Sequence, residues 1–190
     1  MPYLDEHAHL TPATVRLLHA VSRVPIRLLK DCKVYPAGRN WLRFPWYSKR
    51  SGGGAVAIVD RIHASDRFFV EIGNDTSFLL LLAHEVGHLP HAENYPASTL
   101  GRTRFVLWAT WQYALSLLRN GKRWHRKARM EQEAERGRWV LRQLLASSGD
   151  AAAKELLGLV HTNRTAAVGE WLAARSSTIE RLHAEYPGWQ

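Results

Sequence analysis

The chain has 190 residues, with 26 Lys plus Arg against 17 Asp plus Glu and a formal charge of +9. That length suits one domain, residues 1–190, able to bury a sizeable core, and a single cysteine, Cys32, excludes an internal disulfide framework. The charge favours acidic partners such as nucleic acid, anionic lipid or an acidic protein. The opening "MPYLDEHAHLTP" has no basic start followed by an apolar stretch, and the uncharged stretch 105–118 is shorter than the roughly 20 residues a membrane span needs. The expectation is a soluble protein without a signal peptide, cytoplasmic or exported by dedicated secretion machinery.

In chain order, Thr11, Pro12 and "ATVRLLHAVSRV" read as an N-cap, a proline in the first turn and an amphipathic helix that ends before Pro25. From Cys32 to Phe69 the aromatic and β-branched runs "KVYPAGRNWLRFPWY", "AVAIVDRIH" and "RFFVEIG" alternate with "SKRSGGG" and "ASD", which predicts a small, mostly antiparallel sheet. Beyond the capping residues Asn74 to Ser77 the pattern turns helical, with helices predicted over 77–89, 103–119, 124–146, 150–161 and 165–185. The fold class expected is α+β, a small sheet packed beside a helical bundle.

Chemistry concentrates in "FLLLLAHEVGHLPHAENY", residues 78–95, where His84, Glu85 and His88 spell HExxH on a predicted helix. Residues four apart lie on one helical face, so two imidazoles can reach one metal while the adjacent carboxylate reaches its water. The apolar run before the motif predicts a central, buried helix, and buried His and Glu are costly unless paired or metal-bound. Two imidazoles and a carboxylate suit zinc, with a fourth position left open for water.

A third ligand is then required. An unbroken helix would bring in His91, but Pro90 predicts that the helix ends near Leu89. In "RKARMEQEAERGRWVLRQLL", Glu131 and Glu135 share a face with Arg138 and Arg142, where solvated pairs can form. Glu133 lines up with Gly137, Val140, Leu141 and Leu144, the side expected to face the core. Glu133 is therefore the preferred third ligand, with His91 as its rival and another carboxylate as the remaining option.

"AHEVGHLPH" followed at a distance by "EQEAERG" resembles the zincin metallopeptidases that combine HExxH with a distal Glu. ImmA/IrrE-type peptidases and the metallopeptidase domains of bacterial polymorphic toxins carry such a pair of helices. The resemblance implies a zincin-like fold, His84, His88 and Glu133 as zinc ligands, and Glu85 as general base in peptide hydrolysis. It further implies a toxin or effector domain, a protein or peptide substrate, and an immunity or inhibitor protein as partner. "ERGRW" and the helix over 103–119 depart from the ImmA/IrrE pattern, and the wording of both segments is closer to the toxin-type domains.

Other segments carry weaker signals. His91, Tyr95 and His125 are candidates to stabilise an oxyanion. "RFFVEIG" reads as a strand whose edge could pair with an extended substrate. "WLRFPWYSKRSGGG" reads as a plain hairpin loop in preference to one that lines or covers the cleft, and "FVLWATWQYALSLL" as a buried helix in preference to a membrane-surface one. "RNGKRWHRKAR" reads as a solvated helix face. Its basic charge supports an alternative function, a zinc-stabilised module that binds nucleic acid or another acidic partner.

Overall fold

The computed structural model describes residues 2–37, 54–70 and 75–188. The loop "WLRFPWYSKRSGGG" falls almost wholly outside them. Thr11 caps the first helix, α1 (Pro12–Ser22), by accepting a hydrogen bond from the Thr14 amide. Ala13, Thr14, Leu17, Leu18 and Val21 form the buried stripe of α1. The helix stops at Arg23, which adopts the left-handed conformation (φ 60°), and α2 (Ile26–Asp31) follows Pro25.

Three short strands come next, β1 (Lys33–Pro36), β2 (Ala55–Ile58) and β3 (Arg61–Ala64), in the spatial order β1-β3-β2. The sheet is mixed, which corrects the expectation of a mostly antiparallel one. "AVAIVDRIH" folds on itself through Val59 and Asp60 to make the antiparallel pair β2–β3, while β1 lies parallel to β3 with Val34 opposite Ile62. The second strand of the hairpin is thus the middle strand, and Ile62 is fully buried.

A second correction concerns "RFFVEIG". Residues 67–70 form a helical turn, α3 (Arg67–Val70), and residues 71–73 lie outside the described part. Ser65 and Asp66 accept the amides of Phe68 and Phe69, so the chain turns before it can extend. Phe68 then stacks on Phe78 with ring centroids 5.4 Å apart. No substrate-pairing edge exists over 67–70.

The helix α4 (Asp75–Glu85) buries Phe78, Leu79, Leu82 and Ala83 in the main core. It tightens into a 3-10 turn (Val86–His88) and resumes as α5 (Leu89–Ala92). The helical path therefore continues past Pro90, contrary to the expected stop at Leu89. Pro90 occupies the first turn of α5, where its missing N–H leaves no bond unmade.

Ser98 caps α6 (Thr99–Asn120) by accepting the Gly101 amide at 3.1 Å. Arg102 forks onto Asp60 with two 2.9 Å bonds, which ties the start of α6 to the β2–β3 turn. A 3-10 turn and α7 (Trp124–Lys127) lead to α8 (Arg129–Ser148), and Ala128 in extended conformation interrupts what the sequence predicts as one helix. The bundle closes with α9 (Asp150–His161), α10 (Thr165–Ala173) and α11 (Ser176–Glu185). The α+β class holds.

What positions the motif is the crossing of α4 and α8. A Cβ on Gly87 would lie 2.5 Å from the Ala134 Cα, and one on Gly137 would lie 2.5 Å from the Ala83 carbonyl oxygen. The 3-10 turn that follows α4 and α8 itself thus each present a glycine to the other segment's backbone, so the two backbones nearly touch. Side chains that flank the contact are pushed together from both sides.

Candidate metal centre

His84 and His88 leave the same side of their segment with ring centroids 5.2 Å apart, as the four-residue spacing predicts. The residue that meets them from α8 is Glu131. Its carboxylate lies 3.4 Å from His84 Nε2 and 3.7 Å from His88 Nε2. One donor atom from each of His84, His88 and Glu131 falls within 4.8 Å of the others, and all three residues are buried.

Glu133, the carboxylate expected there, lies elsewhere. Its side chain is 43% exposed, accepts a 2.7 Å bond from Arg129 Nε and sits 3.2 Å from His91 Nε2. The two rival third ligands therefore pair with each other outside the cluster. The reason is tertiary. The stripe of Gly137, Val140, Leu141 and Leu144 is buried along the second half of α8, but at its first turns the packed side is that of Met130, Glu131, Ala134 and Glu135. The solvated face assigned to Glu131 and Glu135 is instead the face against α4.

A signal for this was present in the sequence. Glu131 and Glu135 repeat the four-residue spacing of His84 and His88, so two carboxylates on one helix match two imidazoles on another. Glu135 Oε2 lies 3.1 Å from His84 Nδ1, and Arg138 binds both Glu135 oxygens, at 3.0 Å through Nε and 2.5 Å through Nη2. In the neutral form of His84, with Nδ1–H donated to Glu135, the Nε2 lone pair is directed at the cluster. Tyr113, which sequence reading did not single out, donates its hydroxyl hydrogen to Glu131 Oε1.

His125 stacks on Tyr113 at 5.6 Å with an interplanar angle of 8°, and its Nε2 is 3.6 Å from Glu131 Oε1. His91 lies 6.2 Å, centroid to centroid, from Trp108. Tyr95 packs on Phe105 and Trp108, away from the carboxylates, whereas His125 reaches Glu131 and His91 lies 6.5 Å, centroid to centroid, from His88.

The electrostatics follow from burial and pairing. Burial disfavours the charged form of His84, but Glu131 and Glu135 outweigh it and raise the imidazole to about 9. Burial alone would push Glu131 upward, and the imidazoles of His84 and His88 instead bring it down to about 2. Burial lowers His88 to about 3. Burial, reinforced by the Glu131 charge, raises Glu85 to about 7, although the Ala57 backbone donates a bond to it. Tyr113 is raised by burial and by Glu131.

This donor set fits zinc. Two imidazole nitrogens and one carboxylate are its usual catalytic ligands. Glu131 Oε2 and His88 Nδ1 are buried without a hydrogen-bond partner, a cost that a cation at Glu131 would relieve in part. Glu131 is the carboxylate that His84 and His88 share, while Glu135 is held by Arg138 beside them. No family model matches the chain, and no curated protein or solved structure matches it.

Proposed function

We propose that the chain is a zinc-dependent peptidase in which His84, His88 and Glu131 hold the metal and Glu85 is the general base. The observation that carries this reading is the convergence of the two motif histidines on a buried carboxylate of α8, with the motif glutamate buried beside them. When bound, zinc supplies Lewis-acid polarisation of a carbonyl and lowers the pKa of coordinated water towards roughly 7. A Glu85 carboxylate oxygen takes a proton from the attacking water and returns it to the leaving amine. Glu135, held by Arg138, keeps His84 Nε2 aimed inward, and Tyr113 holds Glu131 from its other side.

Peptide as the substrate class rests on the resemblance of the two motif segments to zincins, and so does the setting of a bacterial toxin or effector domain met by an immunity protein. A purely structural zinc would call for a fourth protein donor, whereas the cluster among the described residues has three. That difference favours the peptidase over the zinc-stabilised binding module.

The test is elemental analysis with a peptide-library cleavage assay. The wild type is expected to carry about one zinc per chain and to cleave, and Glu85→Gln to keep the metal and lose cleavage by a factor of about a hundred or more. Undiminished cleavage by Glu85→Gln would remove the assigned base, and failure to bind zinc after equilibration would remove the reading as a whole.

A further inference from the structure

The long helix α6 carries a face with no partner among the described residues. At about 100° per residue, Leu100, Arg104, Leu107, Trp111, Ala114 and Leu118 fall within about 40° of one line, spaced alternately four and three apart once Arg104 is included. All six are exposed, Trp111 at 60% and Leu118 at 82%, with Leu117 exposed at their flank. The opposite side of α6 packs inward through Gly101, Phe105 and Ser116. The apolar side therefore faces away from the protein, which corrects the expectation of a buried helix.

The charge around this face is one-sided. From Asn94 to Met130 the sequence has no Asp or Glu, and the stripe runs directly into the exposed cations Arg119, Lys122, Arg123 and Lys127. A second copy of the chain would set these cations against their own kind. Residues 38–53 would do the same, since that segment holds Arg39, Arg43, Lys49 and Arg50 and no acid. An anionic lipid surface satisfies both halves of the pattern, because leucine and tryptophan enter the acyl boundary while lysine and arginine meet the headgroups. Nucleic acid would satisfy the cations and leave the apolar stripe in water.

We infer that the exposed face of α6, from Leu100 to Leu118 with the basic turn that follows, docks the protein in the plane of an anionic membrane. Among the described residues no helix is long and apolar enough to cross a membrane, which agrees with in-plane seating. Arg104, one turn into the stripe, has a side chain long enough to lay its methylenes along the apolar face and reach a headgroup with its guanidinium. The inference stands apart from the peptidase reading, because none of these side chains belongs to the metal cluster.

The test is co-sedimentation of the full chain with vesicles of phosphatidylcholine plus phosphatidylserine, against phosphatidylcholine alone. The wild type should bind the anionic vesicles, less so as salt rises. Leu107→Ser with Leu118→Ser, and separately Lys122→Ser with Arg123→Ser, should each weaken binding by about tenfold or more with the circular dichroism spectrum unchanged. Absence of binding to anionic vesicles at low salt overturns the inference, as does binding that the leucine pair leaves untouched. A dimer in sedimentation velocity that the leucine pair dissociates would assign the face to a second copy. A Leu118→Cys thiol that a maleimide cannot reach would assign it to the chain itself, and tight duplex binding without vesicle binding would assign the cations to nucleic acid.

Discussion

The crossing of α4 and α8 and the outer face of α6 invert what local composition suggests. "FLLLLA" on α4 ends in ionisable residues, yet those residues are among the more deeply buried in the protein. "FVLWATWQYALSLL" on α6 is uncharged throughout, yet leaves Leu107, Trp111, Leu117 and Leu118 in solvent. Burial follows from which element a face meets, and polarity follows from which partners are available there. At the crossing every imidazole and carboxylate of the cluster answers another across the helix pair, whereas the apolar face of α6 has no counterpart among the described residues.

Substitutions can break this comparison in order of expected effect. Removing the carboxylate at the crossing, Glu131→Gln, should weaken zinc binding by more than about a hundredfold in calorimetric titration, beyond the range seen for outer partners of a ligand. Glu133→Gln should change it by no more than about twofold, since Glu133 is paired with Arg129 on the surface. Equal losses would mean that α8 presents a different face to the histidines.

The next effect is on the fold. Gly87→Val should cost about 3 kcal/mol in urea unfolding, because its side chain would enter the Ala134 backbone. Glu135→Gln should follow with about a tenfold loss of zinc affinity and a normal fold, since it replaces the carboxylate that orients His84 with a weaker, uncharged acceptor.

A pH series sharpens the same contrast. In chelator, His84 keeps its proton up to about 9 against an ordinary value of 6.5. Its pairing with Glu131 and Glu135 thus contributes stability fully present below about pH 6.5 and lost as the pH rises through about 9. The difference in Tm between wild type and His84→Gln should shrink across that window, while zinc affinity rises because binding displaces the proton. A difference that stayed constant would detach His84 from the carboxylates. The smallest effect belongs to α6, where Leu107→Ser should alter unfolding free energy by less than about 0.5 kcal/mol, as expected for an exposed site.

Much of the local structure was legible in the sequence because it depends on near neighbours. The Thr11 cap, the helical HExxH spacing and the α+β class all rest on interactions within a few residues. The composition of "RFFV" is β-prone, but the turn bonds to Ser65 and Asp66 together with packing on Phe78 outweigh that preference. The mixed sheet is not legible locally, since the parallel pairing of β1 with β3 joins segments whose order in space no local pattern encodes.

By itself the sequence determined that His84 and His88 share a face with Glu85 next in line, because a helix of fixed pitch converts spacing into direction. Only the tertiary structure decided that Glu131 and not Glu133 completes the cluster, that Glu135 and Tyr113 brace it, and that α6 turns its leucines outward. Periodicity tells which residues of a helix lie together. The buried arc of α8 shifts along its length, from Met130, Glu131, Ala134 and Glu135 to Gly137, Val140, Leu141 and Leu144, and which neighbours cover each turn is a property of the assembled fold.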